Sequence, residues 1–142
     1  MKKYRIGYTT GVYDMFHIGH LNILKNAKEQ CECLIVGVST DELVADYKKK
    51  RPIIPYAQRV AIVEAIRYVD QVVPQRNMDK LQAVLEVGAD AVFVGDDWKG
   101  TEKWNAIEKQ LAEHSVTVVY LPHTKGISST ILTEKREHRV DE

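Results

Sequence analysis

Two histidines, three residues apart, lie in the stretch of the sequence whose residue types and spacing best suit chemistry. They belong to the string His17-Ile18-Gly19-His20, which follows a short apolar run and begins a helical pattern. At the start of a helix, side chains with this spacing share one face and lie beside unpaired backbone N–H groups. Imidazole donors, the helix dipole and the close approach that a glycine allows then favour phosphate and the charge of a leaving pyrophosphate. The alternatives are two ordinary surface histidines or a metal site.

A second candidate phosphate site lies near the end of the sequence, in the string Gly126-Ile127-Ser128-Ser129-Thr130. The three hydroxyl groups could hold phosphate oxygens at the start of a last helix, which is predicted to begin after Ser128 or Ser129. They could equally do no more than cap that helix. His123 would add a further donor just ahead of this segment.

Other charged residues could face the same ligand, but each also has an ordinary structural explanation. The basic run Lys48-Lys49-Lys50-Arg51 could close over a polyphosphate as a lid or remain a solvated loop. Arg59 and Arg67 could bind phosphate or be exposed helix residues. The carboxylates of Asp14, Asp96 and Asp97 could hold Mg²⁺ or a nucleotide, or they could belong to turns. The indole of Trp98 could stack against a ligand or be a packing residue.

These residues need elements that bring them together, and the apolar pattern predicts five strands separated by helices. The strands are Tyr4 to Tyr8, Leu34 to Val38, Gln71 to Val73, Ala91 to Val94 and Val116 to Leu121. The helices are Ile18 to Gln30, Pro55 to Tyr68, Met78 to Val87 and Glu102 to His114. Strands rich in Val and Ile that alternate with helices predict an α/β fold with a doubly wound parallel sheet. Ligands bind such sheets beyond the carboxyl ends of the strands, where the loops after strands one, four and five would converge.

Length and composition limit the classes of protein to which the chain can belong. A length of 142 residues fits a single domain, and 20 basic against 20 acidic side chains leave a formal net charge of zero. This balance argues against a general nucleic-acid binder, and no apolar run approaches the ~18 residues of a membrane span. Cys31 and Cys33 form neither a disulfide framework nor a zinc site. We therefore expect a soluble, cytoplasmic protein without membrane insertion. The sequence has no Walker A, G-x-G-x-x-G or G-x-S-x-G motif, which argues against a P-loop kinase, a classical dinucleotide dehydrogenase and an α/β-hydrolase.

Four motifs in this order resemble those of the glycerol-3-phosphate cytidylyltransferase family. They are His17 to His20, Arg67 to Asp70 (R-Y-V-D), Gly95 to Trp98 (G-D-D-W) and Gly126 to Thr130 (G-I-S-S-T), and the likeness runs from the first strand to about Leu132. The resemblance implies a Rossmann-like nucleotidyltransferase domain, which we place at residues 1–135, with a charged tail at residues 136–142. It also implies a homodimer that uses Mg²⁺ and joins CTP to glycerol 3-phosphate. The products would be pyrophosphate and CDP-glycerol for teichoic-acid or capsule polymers.

The resemblance also implies roles for individual residues. The acceptor phosphate would attack the α-phosphorus of CTP in line, while the protein positions the reactants and spreads charge. The residues expected to support catalysis are His17, His20, Lys50 and His123. The expected nucleotide-binding residues are Thr10, Gly11, Val12, Asp14, Gly19, Arg67, Asp96, Ser128, Ser129 and Thr130, and Asp14 is also the candidate Mg²⁺ ligand. The acceptor would be held by Lys48, Arg59, Asp97 and Trp98.

Two departures from the family pattern leave the substrates open. His123 stands where the family commonly has arginine, and Gly11-Val12-Tyr13-Asp14 stands where relatives typically read G-T-F-D. The first replaces a bidentate fork by a shorter side chain whose charge depends on pH, and the second removes a hydroxyl group. One alternative is a transferase of the same scaffold that uses choline phosphate, ethanolamine phosphate or ATP. The other is a nucleotide-binding sensor without catalysis.

Overall fold

The computed structural model describes residues Lys2–Pro122 and contains all five predicted strands. These are β1 (Tyr4–Gly11), β2 (Cys31–Ser39), β3 (Gln71–Gln75), β4 (Ala91–Gly95) and β5 (Thr117–Leu121). The helices are α1 (Ile18–Gln30), α2 (Asp41–Lys48), α3 (Tyr56–Glu64), α4 (Lys80–Val87) and α5 (Glu102–Ala112), and a single 3-10 turn, Asp96–Trp98, follows β4. The predicted last helix, the predicted domain end at residue 135 and the predicted tail lie outside the described residues.

The five strands form one parallel sheet in the order β3-β2-β1-β4-β5. The chain builds outward from the central β1 to β3 and then returns to the other side of β1 with β4. One apolar cluster packs around Leu24 of α1 and Val63 of α3, and a second packs around Val84 of α4 and Leu111 of α5. Helices therefore cover both faces, which confirms the predicted single-domain α/β fold with a Rossmann-like, doubly wound sheet.

The bounds of several elements differ from the prediction, since β2 begins at Cys31 and not at Leu34, and α4 begins at Lys80 and not at Met78. β1 continues to Gly11, since its pairing with Val38 extends the ladder past the apolar segment. The basic run is predicted as a loop, yet Lys48 is the last residue of α2, which Thr40 caps by accepting a hydrogen bond from the Leu43 N–H at 3.2 Å. The loop proper thus begins after Lys48.

Cys31 and Cys33 are free cysteines, and Cys31 is buried at the start of β2, as expected of a reduced core residue. Within residues 2–122, no helix is long and apolar enough to cross a membrane.

Candidate functional site

The loop after β1 ends in the histidine pair, which forms the first turn of α1. His17 is the N-cap residue, and its Nδ1 atom accepts a hydrogen bond from the Gly19 backbone N–H at 3.0 Å. In return, the Nδ1 atom of His20 accepts from the His17 backbone N–H at 3.2 Å. The two rings stack with their centroids 3.8 Å apart and an interplanar angle of 20°. This reciprocal capping box fixes both imidazoles through the backbone of the helix itself.

The capping bonds decide which nitrogen of each ring is left to donate a hydrogen bond. Because Nδ1 of each ring accepts a hydrogen bond, the neutral form of each ring carries its proton on Nε2. The Nε2 atom of His17 is buried and has no hydrogen-bond partner among residues Lys2–Pro122. A buried polar group without a partner is destabilising, and an oxygen of an anionic ligand at this position would relieve that cost.

The surroundings of the pair favour the uncharged form of both imidazoles. Burial and, to a smaller extent, the neighbouring His17 lower the pKa of His20 to about 3, against an opposing effect of Asp14. Burial also lowers the pKa of His17. The Tyr13 ring meets the His20 ring edge-on at 5.3 Å, and the Phe16 ring lies at the same centroid distance. Such fixed, neutral N–H donors can strengthen their hydrogen bonds as negative charge grows on a phosphoryl group.

Asp14 connects the loop after β1 to the segment that follows the basic run. Its two carboxylate oxygens accept hydrogen bonds from the backbone N–H groups of Ile53 and Ile54, each at 2.8 Å. Within the described chain, no group of three His, Cys, Asp or Glu side chains is arranged to hold a metal ion. Direct Mg²⁺ binding by Asp14 stays a prediction, whereas its role as an anchor of the neighbouring loop is visible.

Arg59 is a buried residue, which corrects the idea that it is exposed on its helix. Its side chain is 0% exposed, and its guanidinium donates to the carbonyl oxygens of Val12 and Ser39 at 2.7 Å and of Ile54 at 2.8 Å. A fourth bond, to the Asp41 carboxylate, measures 2.7 Å. Burial opposes ionisation of Asp41, but the hydrogen bonds from Arg59 and from a backbone N–H outweigh it and lower the pKa of Asp41.

Most of the five N–H donors of Arg59 are therefore used inside the protein. The arginine joins the loop after β1, the end of β2, the start of α2 and the chain before α3 in one arrangement. This geometry makes Arg59 a positioning residue for the loop after β1, which carries the histidine pair, and for the chain around the basic run. These hydrogen bonds do not support the predicted role of Arg59 in binding the acceptor.

A lysine that the sequence analysis does not select reaches the same edge of the sheet. Lys80 is the first residue of α4, and its ammonium donates to the Oγ1 atom of Thr10 at 2.7 Å. Burial, together with a smaller contribution from the nearby Lys103, lowers the pKa of Lys80 to about 8. The sequence marks this position only by Asp79, which caps α4, and a cap does not distinguish Lys80 from other surface lysines.

Several other predicted residues gather at the carboxyl ends of β1, β2 and β4. Gly11 leaves room for a neighbouring ring, since a Cβ atom there would lie 3.0 Å from ring carbons of Tyr13. Lys50 is exposed in the loop after α2. Three predicted ligands form the 3-10 turn after β4, and the indole among them is 47% exposed; they are Asp96, Asp97 and Trp98.

Arg67 is placed away from the histidine pair within one chain. The predicted helix ends early, at Glu64, so that Arg67 lies in the turn that leads to the amino end of β3. Amino and carboxyl ends of parallel strands lie at opposite edges of the sheet. Its guanidinium donates to the Tyr68 hydroxyl at 3.1 Å and lies 5.1 Å from the centre of that ring. The remaining predicted site residues lie outside the described part of the chain; they are His123, Ser128, Ser129 and Thr130.

Most of the chain is similar in sequence to known cytidylyltransferases. A family model described as cytidylyltransferase-like matches residues 8–135. Two proteins named glycerol-3-phosphate cytidylyltransferase, from Bacillus subtilis (strain 168) and Staphylococcus aureus (strain NCTC 8325 / PS 47), are 39% and 36% identical to this chain over 128 residues. Each alignment covers 89% of this chain, together with 93% and 91% of the respective relative.

Solved structures share the architecture. A lipopolysaccharide core biosynthesis protein from Thermoplasma volcanium superposes with a TM-score of 0.71 at 27% identity, covering 87% of this chain and 99% of that one. Pantothenate synthetase from Thermus thermophilus reaches a TM-score of 0.68 at 14% identity, covering 97% of this chain and 66% of that one. At so low an identity, the second likeness speaks for the fold alone.

Proposed function

Because the chain belongs to the cytidylyltransferase-like family, we propose that it is a nucleotidyltransferase that joins CTP and glycerol 3-phosphate to give CDP-glycerol and pyrophosphate. The observation that carries the proposal is the similarity to relatives named glycerol-3-phosphate cytidylyltransferase, which are between 36% and 40% identical over most of both chains. The capped histidine pair provides the chemical support, since it presents fixed donors at the edge where ligands bind such sheets.

The reaction needs positioning and charge stabilisation more than covalent chemistry. A phosphate oxygen of the acceptor attacks the α-phosphorus of CTP, the new P–O bond forms, and the bond to pyrophosphate breaks on the opposite side. Negative charge increases on the leaving pyrophosphate, and the Nε2–H groups of His17 and His20 stabilise it. Because these donors are held by the helix start before the substrate arrives, little reorganisation is needed at the moment of transfer.

Cations around the pair would neutralise the substrates. Lys48 and Lys50 are exposed beside the anchored loop and suit the phosphates, while Lys80 lies against Thr10 and suits the acceptor phosphate. The Asp14 carboxylate already binds two backbone N–H groups, so we place Mg²⁺ on the phosphates of CTP, entering as part of the substrate. The roles of His123, Ser128, Ser129 and Thr130 remain those that the family resemblance implies.

We also propose that the enzyme is a cytoplasmic homodimer whose product feeds teichoic-acid or capsule-type polymers. The dimer and the product's use follow from the family resemblance, and the free Cys31 and Cys33 suit a reducing compartment. Sedimentation velocity tests the dimer, because the expected mass is twice the 16.2 kDa of one chain.

Pyrophosphate release in the presence of Mg²⁺ separates the proposed function from its alternatives. CTP and ATP are each combined with glycerol 3-phosphate, choline phosphate, ethanolamine phosphate or no acceptor. We expect release with CTP and glycerol 3-phosphate together. Release that depends on ATP or on another alcohol phosphate would assign the chain to a different transferase. Measurable CTP binding without release in any mixture would make it a nucleotide sensor.

Replacing Asp14 by asparagine tests whether its carboxylate anchors the loop or binds a metal ion. Asparagine keeps the shape but offers one acceptor oxygen, so one of the bonds to the Ile53 and Ile54 N–H groups is lost. Such a bond contributes about 1–3 kcal/mol, and we expect KM for CTP to rise about tenfold as the basic segment loosens. The Mg²⁺ concentration that gives half-maximal activity should stay the same. A marked increase in that concentration, with no change for the exposed Asp46→Asn control, would instead identify Asp14 as a metal ligand.

A further inference from the structure

Two lysines and a tryptophan form one corner of the carboxyl edge, on the side of the sheet that α4 and α5 cover. The Trp98 ring ends the 3-10 turn after β4 and is 47% exposed. The Nζ atom of Lys103, from α5, lies 6.0 Å from the centre of that ring. Lys80 reaches the neighbouring strand β1 through its bond to Thr10. Because Lys103 lowers the pKa of Lys80, the two ammonium groups lie close enough to repel each other.

This arrangement determines which charge a ligand can bring to the corner. An exposed indole face is a preferred binding surface for quaternary ammonium groups such as that of choline. Here the face already carries an ammonium group of the protein. A cationic ligand would have to displace Lys103 and would be repelled by it, whereas a phosphate group would be attracted by both lysines.

The Asp97 carboxylate lies at the same corner, so the charge of Lys103 decides which kind of ligand this carboxylate can bind. A Cβ atom added to Gly95 would lie 2.7 Å from the Oδ1 atom of Asp97, so this carboxylate lies over the end of β4. A carboxylate can accept hydrogen bonds from the hydroxyl groups of a polyol, and it also attracts an ammonium group. The positive charge of Lys103 opposes the binding of an ammonium group and leaves the hydrogen bonds to a polyol.

We propose that Lys103 determines the choice of acceptor: its ammonium over the Trp98 ring excludes phosphorylated alcohols that carry a positive charge and leaves the site to uncharged polyol phosphates. This inference rests on the proposed function, because it concerns the acceptor site of the same enzyme. Choline phosphate and ethanolamine phosphate carry a cationic head group, whereas glycerol 3-phosphate carries two hydroxyl groups in its place.

Three variants test the role of the lysine. Lys103→Met removes the charge and keeps the length of the side chain, Lys103→Arg keeps the charge, and Lys109→Met removes an exposed charge more than one turn further along α5. The readout is the ratio of kcat/KM for glycerol 3-phosphate to that for choline phosphate, from pyrophosphate release with CTP. Lys103→Met is expected to lower this ratio about tenfold, through better use of choline phosphate. The other two variants should keep the ratio within about twofold of the unmodified protein.

The outcomes separate this inference from the proposed function. A ratio that Lys103→Met leaves unchanged, in an enzyme that still uses glycerol 3-phosphate, overturns the role of Lys103 alone. If the unmodified protein uses no acceptor, the proposed function fails, and the dissociation constants of choline phosphate decide on Lys103. Tighter binding of choline phosphate by Lys103→Met than by the unmodified protein then supports the inference, and equal binding rejects it. Lys103→Gln serves as the uncharged variant if Lys103→Met is poorly folded.

Discussion

Alanine at His17 or at His20 is expected to lower kcat for CDP-glycerol formation by about a hundredfold to a thousandfold, the usual loss when one preorganised donor to a developing oxyanion is removed. Because both Nδ1 atoms accept hydrogen bonds from the backbone of the first turn of α1, each neutral ring keeps its proton on Nε2, which is the donor proposed to bind the phosphates. The effect should fall on kcat more than on KM, since these hydrogen bonds are strongest when charge has built up on pyrophosphate. Steady-state pyrophosphate release with saturating CTP measures it.

The histidines also cap their helix, so alanine removes two functions at once. His17→Asn and His20→Gln separate them, because asparagine is a good N-cap and glutamine suits the third position of a capping box. We expect these variants to recover about 1 kcal/mol of the stability that alanine loses and none of the activity. Substantial turnover by His17→Asn or His20→Gln would show that the histidines act through the helix start and not on the phosphates.

The variant His20→Gln also tests the ionisation state of this ring. The pKa of His20 is about 3, so in the free enzyme this ring stays neutral from pH 5 to pH 8. The pH profile of kcat/KM reports groups that ionise in the free enzyme. His20→Gln should therefore lower this profile uniformly, without moving its acid limb.

Replacing Arg59 by methionine should destabilise the protein by about 3–5 kcal/mol, because the hydrogen bonds of a fully buried guanidinium are lost together and each polar group left unsatisfied inside the protein costs about 1–3 kcal/mol. Methionine fills a similar volume but leaves Asp41 without its guanidinium, and the carbonyl oxygens of Val12, Ser39 and Ile54 lose their donor. Urea denaturation followed by circular dichroism measures the change. Arg67→Met is the matched control, since this arginine is exposed and donates to the neighbouring Tyr68 hydroxyl, and its loss should change the free energy of unfolding by no more than about 0.5 kcal/mol.

A second variant, Arg59→Lys, tests whether the charge or the planar shape of the guanidinium holds these segments together. Arg59→Lys keeps the charge but not the planar fork that reaches three carbonyls and a carboxylate, so most of the loss in stability should persist. Activity measured where the variant is still folded should fall as well, because Val12 and Asp41 belong to segments that position the site. Normal stability of Arg59→Met together with a raised KM for glycerol 3-phosphate alone would return Arg59 to the role of an acceptor ligand.

Local patterns were sufficient to predict the frame of the molecule and the centre of its site. The apolar periodicity of residues 18–30 predicts α1 with the bounds that the structure shows. The Val- and Ile-rich runs place all five strands in the correct positions, with shifts confined to their ends. The histidine pair is identifiable for the same reason, since a capping box involves only residues 17–20 and needs no distant partner. These features depend on neighbours within one or two turns, which any sequence displays directly.

Tertiary contacts decided the roles that spacing left open. The hydrogen bonds between Asp14 and Ile54, between Arg59 and Val12 and between Lys80 and Thr10 join residues that are 40, 47 and 70 positions apart. Arg59 becomes a buried hub and Lys80 a half-buried cation only because the strand order 3-2-1-4-5 brings these segments to one edge. Arg67 precedes the amino end of β3 and therefore lies at the opposite edge of the parallel sheet. Burial and long-range hydrogen bonds arise when distant segments pack against each other, so the local sequence does not reveal which charged residues become anchors and which remain free to meet a ligand.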